Sequence, residues 1–178
     1  MTRYAMAIDT RRCVGCADCV VACQTENNVP LGYCRDWIVQ EMNGIFPELQ
    51  LEIRSERCNH CADAPCVRTC PTGASHYAEG GIVLVTHQEC IGCKACITSC
   101  PYDARYVHPD GYVDKCTFCI HRVEQGENPA CVSVCPTHAM IFGDLEDEKS
   151  EISIALKTRK HKALLPEAGT DPHVFYLL

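Results

Sequence analysis

The chain has 178 residues, 17 of them cysteine, and a formal charge of −7. Its hydrophobic share of 47% counts those cysteines; without them it falls to roughly 38%, so an apolar core alone would be thin and cofactors are expected to fill part of the interior. The acidic balance argues against nucleic acid as a partner, and no apolar run approaches the ~20 residues of a membrane span.

Taken in chain order, Tyr4-Ala5-Met6-Ala7-Ile8 predicts a strand running into a first cysteine group, Cys13, Cys16, Cys19 and Cys23, spaced C-x2-C-x2-C-x3-C. Arg11-Arg12 is followed by Cys13 and polar residues instead of an apolar stretch, so no export signal is expected there. Residues 24–57 hold no member of a cysteine group, only the odd Cys34 and the single tryptophan, Trp37. They read as a loop excursion over the surface, with a short β pattern at Leu49 to Ile53. Trp37 suits a packing or interface anchor better than an electron relay. Cys34 reads as a small, buried or semi-exposed residue with no assigned role.

A second group follows, Cys58, Cys61, Cys66 and Cys70, spaced C-x2-C-x4-C-x3-C-P. Ala74 to Tyr77, the turn Glu79-Gly80-Gly81, and Ile82 to Val85 predict a hairpin. The third group is Cys90, Cys93, Cys96 and Cys100, again C-x2-C-x2-C-x3-C-P. A second hairpin is predicted from Ala104 to Val107, Pro109-Asp110-Gly111, and Tyr112-Val113. The fourth group is Cys116, Cys119, Cys131 and Cys135, spaced C-x2-C-x11-C-x3-C-P, and a strand at Ala139 to Phe142 closes it. In the tail, Asp147 or Ser150 is placed to cap a helix of about ten residues reaching Lys160. Beyond it, Leu164 to Leu177 reads as an extended, apolar-ending strap, either packed on the chain itself or serving as a docking surface.

The repeat carries the chemistry. Three thiolates at close intervals can wrap one corner of an iron–sulfur cubane and turn backbone N–H groups toward its sulfides, while a fourth cysteine beyond a short helical turn reaches a different cluster. Proline after that cysteine redirects the chain. Disulfides would suit an even number of thiols but belong to small secreted frameworks. Structural zinc uses paired C-x2-C units, and the first and third groups are too compact for it. The fold class read from this pattern is α+β. The second and third groups form a contiguous unit, 58–100, that looks like a bacterial two-cluster ferredoxin. It would be inserted into an outer, pseudo-symmetric unit made from 1–57 and 101–145, with 146–178 as a C-terminal helix and docking strap. The outer unit exists only if the first and fourth groups meet in space.

Several segments make the sequence similar to a known family. They are Ala5-Met6-Ala7-Ile8-Asp9 before Cys13-Val14-Gly15-Cys16, Cys58-Asn59-His60-Cys61, Cys70-Pro71-Thr72-Gly73-Ala74, Cys100-Pro101-Tyr102-Asp103-Ala104-Arg105-Tyr106, Asp114-Lys115-Cys116-Thr117-Phe118-Cys119, and Phe142-Gly143-Asp144-Leu145. Across nearly its whole length it resembles the four-cluster ferredoxin-like electron-transfer subunits of molybdopterin oxidoreductases. The compact size and the ending Leu165-Pro166-Glu167-Ala168-Gly169-Thr170 look closest to the polysulfide and thiosulfate reductase branch.

The resemblance implies four [4Fe–4S] clusters with ligand sets that cross the chain. These are Cys13, Cys16, Cys19 and Cys135; then Cys116, Cys119, Cys131 and Cys23; then Cys58, Cys61, Cys66 and Cys100; and last Cys90, Cys93, Cys96 and Cys70. In the family that order runs from the molybdenum subunit toward the membrane. Some relatives replace the second cysteine of the third motif and hold a three-iron cluster; Cys93 is present here.

The implied partners are a molybdopterin (molybdenum or tungsten) catalytic subunit and an integral-membrane, quinone-reactive subunit. The implied setting is anaerobic respiration on a bacterial membrane, at its periplasmic face, with the cytoplasmic face as the alternative. Other complexes of the same kind stay open, namely dimethyl sulfoxide, tetrathionate, arsenate and nitrite reductases and formate dehydrogenase. So does a free-standing polyferredoxin. No catalytic acid–base pair or nucleophile is evident, so turnover is expected elsewhere. Lys115, beside Cys116, is a candidate for a positive charge that tunes two clusters, with a surface lysine as the bland reading. His60 and His121 flank ligands and could donate to sulfur, although local or solvent partners are the commoner fate of such histidines.

Overall fold

The computed structural model describes residues 2–178. Strand β1 (Tyr4–Asp9) leads through the first cysteine loop into helix α1 (Asp18–Glu26), and β2 (Asp36–Ile45) and β3 (Glu48–Arg57) follow. The middle of the chain holds α2 (Pro65–Arg68), β4 (Ser75–Tyr77), β5 (Val83–Val85) and α3 (Ala95–Thr98). Next come β6 (Tyr106–Val107), β7 (Val113–Asp114), α4 (Ile120–Val123) and α5 (Ala130–Ser133). The chain closes with β8 (Met140–Asp144), α6 (Glu151–Thr158), β9 (His161–Lys162) and β10 (Val174–Leu177). Four of the helices are single turns, too short to persist without tertiary support.

Strands far apart in sequence form one mixed sheet, in the order β8-β1-β10-β9. β1 pairs antiparallel with β8, Ile8 opposite Met140, and parallel with β10, Met6 opposite Val174. β1 is buried on both faces. Ala5 and Ala7 meet Ile152, Ala155 and Leu177, where small side chains let α6 sit close to the sheet, and Met6 and Ile8 point into the cysteine-lined core. The hairpins β4–β5 and β6–β7 lie where the hydrophobic alternation predicts them.

Two expectations change, and the tail takes one of its two readings. Residues 36–57 are not a loop excursion: β2 and β3 form a ten-residue antiparallel hairpin from Asp36 opposite Arg57 to Ile45 opposite Glu48. Its outer half is exposed on both faces, so no clean polar–apolar alternation marks it. Charge helps to hold it: Arg54 pairs across the hairpin with Glu41 at 2.7 Å, and along its own strand with Glu52 at 2.9 Å and Glu56 at 2.7 Å.

The tail packs on the chain itself, the first of its two readings. Val174, Tyr176 and Leu177 are buried in the sheet, and the segment before them bonds to the second cysteine loop: Ala62 N to Asp171 O at 2.8 Å, Asp63 N to Thr170 O at 3.0 Å, and His173 N to Asn59 O at 2.8 Å. Finally, α6 ends at Thr158, short of Lys160. Its cap is Ser150, whose Oγ accepts from Ser153 N at 3.2 Å, while Asp147 closes a turn upstream by accepting from Lys149 N at 2.9 Å.

Candidate iron–sulfur centres

The first C-x2-C loop of each group has its third residue in the left-handed region: Gly15 (φ 69°), His60 (φ 43°), Gly92 (φ 65°) and Phe118 (φ 52°). That conformation turns successive N–H groups inward, making a concave anion-binding surface. Glycine adopts it without strain, and at Gly92 a Cβ would stand 2.4 Å from the Gly111 carbonyl oxygen. His60 and Phe118 adopt it despite their side chains, and their rings stack on each other with centroids 3.7 Å apart. His60 Nδ1 accepts from Val83 N at 3.1 Å, so its proton sits on Nε2, a buried donor with no protein partner. Burial, with the nearby Lys115, His173 and Arg105, holds its pKa well below the usual range, so the ring is neutral. His121, by contrast, lies at the surface and pairs with Glu26 at 2.8 Å.

All seventeen cysteines are unpaired thiols, and the fold brings together thiols from distant stretches of chain. Cys23 shares one enclosed pocket with Cys116, Cys119 and Cys131. Cys70 shares another with Cys90, Cys93 and Cys96. Burial pushes the Cys61 thiol up to about 12, and the neighbours that add to this are Cys58, Cys66 and Cys100. Cys13 is likewise raised, first by burial and then by Cys135 and Cys16. Cys19 is raised to about 11, by burial first and then by Asp36. In each case the fourth cysteine of one group lies with members of another. Cys34 stands outside all of these and is exposed.

The donors fit an iron–sulfur group. Soft sulfur ligands are arranged around voids, and among the described residues no three His, Cys, Asp or Glu side chains converge on a single-ion site. Backbone amides already point at sulfur: Ser75 N to Cys70 and Ala139 N to Cys135 at 3.3 Å, Val113 N to Cys90 and Phe118 N to Cys116 at 3.4 Å. Such N–H donors stabilise the charge of a bound cluster. Asn27 Nδ2 stands 3.7 Å from both Cys23 and Cys119 Sγ.

Lys115 is fully buried, which overturns the surface-lysine reading. Its ammonium donates to Val83 O and, at 2.7 Å, to Cys116 O. Burial lowers its pKa, while the sulfurs of Cys58, Cys116 and Cys66 act in the opposite direction. Two buried arginines also reach the thiols, and sequence reasoning passed over both. Arg57 Nη1 is 3.1 Å from Cys131 Sγ, and Arg105 Nη2 is 2.8 Å from Cys66 Sγ. A signal existed for the first: Arg57 directly precedes Cys58 as Lys115 precedes Cys116. Burial opposes the charge on Arg57, but Asp36 at 3.0 Å and the thiols of Cys131, Cys116 and Cys19 more than offset it. Trp37 is half-buried and packs against the cysteine-lined core.

Comparison with known proteins agrees with this chemistry. A family described as a 4Fe-4S dicluster domain matches residues 49–145. The chain is 46% identical to a tetrathionate reductase subunit of Salmonella typhimurium, over 98% of this chain and 72% of the relative. It is 41% identical to a polysulfide reductase polypeptide of Wolinella succinogenes, over 97% and 93%. It is 37% identical to the arsenate respiratory reductase iron-sulfur subunit of a Shewanella species, over 98% and 96%. The protein belongs to this family of ferredoxin-like iron–sulfur subunits of reductase complexes, and its work is electron transfer and not catalysis.

Proposed function

We propose that the chain relays single electrons through four [4Fe–4S] clusters between a molybdopterin catalytic subunit and a membrane-embedded, quinone-reactive subunit. The observation that carries this reading is the crossing of the thiols: Cys23 with Cys116, Cys119 and Cys131, and Cys70 with Cys90, Cys93 and Cys96. With Cys135 beside Cys13 and Cys100 beside Cys61, it supports the four ligand sets given above. It also supports an outer ferredoxin-like unit, 1–57 with 101–145, holding an inner one, 58–100. The shared left-handed third residue of all four loops, and the His60–Phe118 stack where the second and fourth loops meet, favour a pseudo-symmetric pair.

Bound clusters would supply the one-electron redox chemistry. The protein's part is to hold them by thiolates, to donate amide hydrogens to sulfur, and to exclude water with residues such as Met6, Phe118 and Met140. Lys115 lies between Cys116 of the second set and Cys58 and Cys66 of the third, where a positive charge eases passage across the middle of the relay.

Exposed apolar residues at the hairpin tip, Ile45 at 85% and Phe46 at 83%, favour a subunit with fixed partners over a free-standing carrier. Among the described residues no helix is long and apolar enough to cross a membrane, so attachment is assigned to a partner, on the periplasmic face. The terminal acceptor proposed is a sulfur compound such as polysulfide or thiosulfate. The 46% identity to a tetrathionate reductase subunit favours tetrathionate as the second reading.

Iron and acid-labile sulfide analysis of anaerobically purified protein tests the cluster assignment. About sixteen of each per polypeptide is expected, and Cys23→Ser should lose or convert one cluster while the others persist. Protein without labile sulfide ends the reading. Viologen oxidation by the co-purified complex, with polysulfide, thiosulfate and tetrathionate in turn, decides the acceptor.

A further inference from the structure

The buried cations are distributed in a regular way. Arg57 touches Cys131 of the second set, and its Nη2 donates to Ser55 Oγ, which stands 3.6 Å from Cys19 Sγ of the first; its charge also acts on Cys116 and Cys13. Arg105 touches Cys66 and lies close to Cys58, both in the third set, and to Cys96 in the fourth. With Lys115 between the second and third sets, each junction of the relay holds one buried positive side chain.

We propose that Arg57 and Arg105 are redox-positioning residues, each a guanidinium shared by two successive clusters, the first and second for Arg57 and the third and fourth for Arg105. The inference rests on the four-cluster assignment above. Adding an electron to a buried cluster adds negative charge in a medium that screens poorly, so an adjacent cation favours the reduced state. A cation shared by two neighbours raises both potentials together. The gap between the two is then left unchanged.

Arginine suits the task because its planar fork presents donors in more than one direction and stays charged. Arg105 uses Nη2 for Cys66 Sγ and for Ser75 Oγ at 2.9 Å, while its Nε and Nη1, both buried, have no protein partner. Arg57 likewise has a buried Nε with no protein partner. These donors are buried on side chains that already touch ligand thiols, where cluster sulfide is an acceptor the assignment supplies. The two sites differ in one respect: Arg57 is paired with Asp36 at 3.0 Å, whereas Arg105 has no carboxylate within ion-pair distance among the described residues.

The test is a redox titration of the cluster-loaded protein followed by electron paramagnetic resonance, with iron and acid-labile sulfide measured on each sample. Arg105→Gln should move two of the four couples to more negative potential, each by about tenfold in its oxidised-to-reduced ratio, about 59 mV for one electron. Arg57→Gln should move the other two in the same direction. Arg105→Lys, which keeps the charge, should restore the wild-type values.

Full iron and sulfide with unchanged potentials in both glutamine variants overturns the proposal and leaves the cluster assignment standing. Wild-type protein that lacks labile sulfide removes the assignment itself. If Arg105→Gln fails to load, Arg105→Lys decides: wild-type potentials support a role for charge, and a shift of the size expected for glutamine refutes it.

Discussion

Two layers of this molecule are held together by different means. The sheet and α6 form an ordinary apolar layer, in which Ala5, Ala7, Ile152, Ala155 and Leu177 close-pack without a sulfur atom among them. The cysteine core next to it has single-turn helices, two- and three-residue strands and left-handed residues that are not glycine. Its buried thiols oppose one another's ionisation, and Cys116 and Cys131 are pushed up to about 12, by burial first, with Arg57 working against the rise. The apolar layer has enough local order to specify itself, whereas the core needs what it holds.

The largest effect should therefore come from stripping iron. Chelation under reducing, anaerobic conditions should cost the loops and helices of 58–135 about a thousandfold of amide-exchange protection, roughly 4 kcal/mol, because cofactor binding there is folding free energy. β1, β8 and β10 should lose far less. Equal loss in both layers, read by hydrogen exchange, would make them one cooperative unit and end the contrast.

A cavity cut into the other layer sharpens the same comparison. Ile152→Ala removes a fully buried side chain that packs on Ala5 and Ala7 and should cost about 3 kcal/mol in denaturant unfolding. Iron and sulfide content should stay at the wild-type level. A variant that loses iron in proportion to stability would show that α6 supports the core directly.

The contrast also explains what was legible in the sequence. The cysteine groups, the strands beside them and both short hairpins follow from spacing and alternation, because local chemistry determines them. The β2–β3 hairpin did not, since its outer half has no buried face to impose a period of two. Which fourth cysteine joins which group cannot be read from spacing alone. It needs the chain to return, and β8 pairing with β1 brings the segment after Cys135 back beside the first loop. The left-handed His60 and Phe118 had no composition signal, unlike Gly15 and Gly92. Arg57 and Arg105 drew no role from the sequence, because charged side chains are seldom buried.

The strap between the layers offers a smaller perturbation. Tyr102 Oη and Thr170 Oγ1 are 2.6 Å apart in a buried hydrogen bond, and Tyr102 also donates to Leu164 O at 3.3 Å. Thr170→Val removes the shorter contact while the other persists, so the expected cost is about 1 kcal/mol. Faster amide exchange at Ala62 and Asp63, whose N–H groups bond this segment, would locate the loss at the strap.

The smallest effect belongs to the ion pair that joins the end of α6 to β1. Asp9 Oδ2 accepts from Arg159 Nη1 at 2.6 Å, and Arg11 N donates to Asp9 Oδ1 at 3.0 Å. Burial alone would raise the Asp9 pKa, but these two bonds and the charges of Arg159 and Arg12 lower it below the ordinary value. A carboxyl whose pKa is lower folded than unfolded favours the fold most above its unfolded pKa, near 3.9, and loses that contribution as pH falls through the folded value. Arg159 is partly exposed, so Arg159→Ala should cost no more than about 1 kcal/mol at neutral pH. The difference from wild type should shrink toward zero as pH falls below the ordinary carboxyl range. A difference that stays constant from neutral to strongly acidic pH would assign the effect to lost packing of the arginine stem and not to charge.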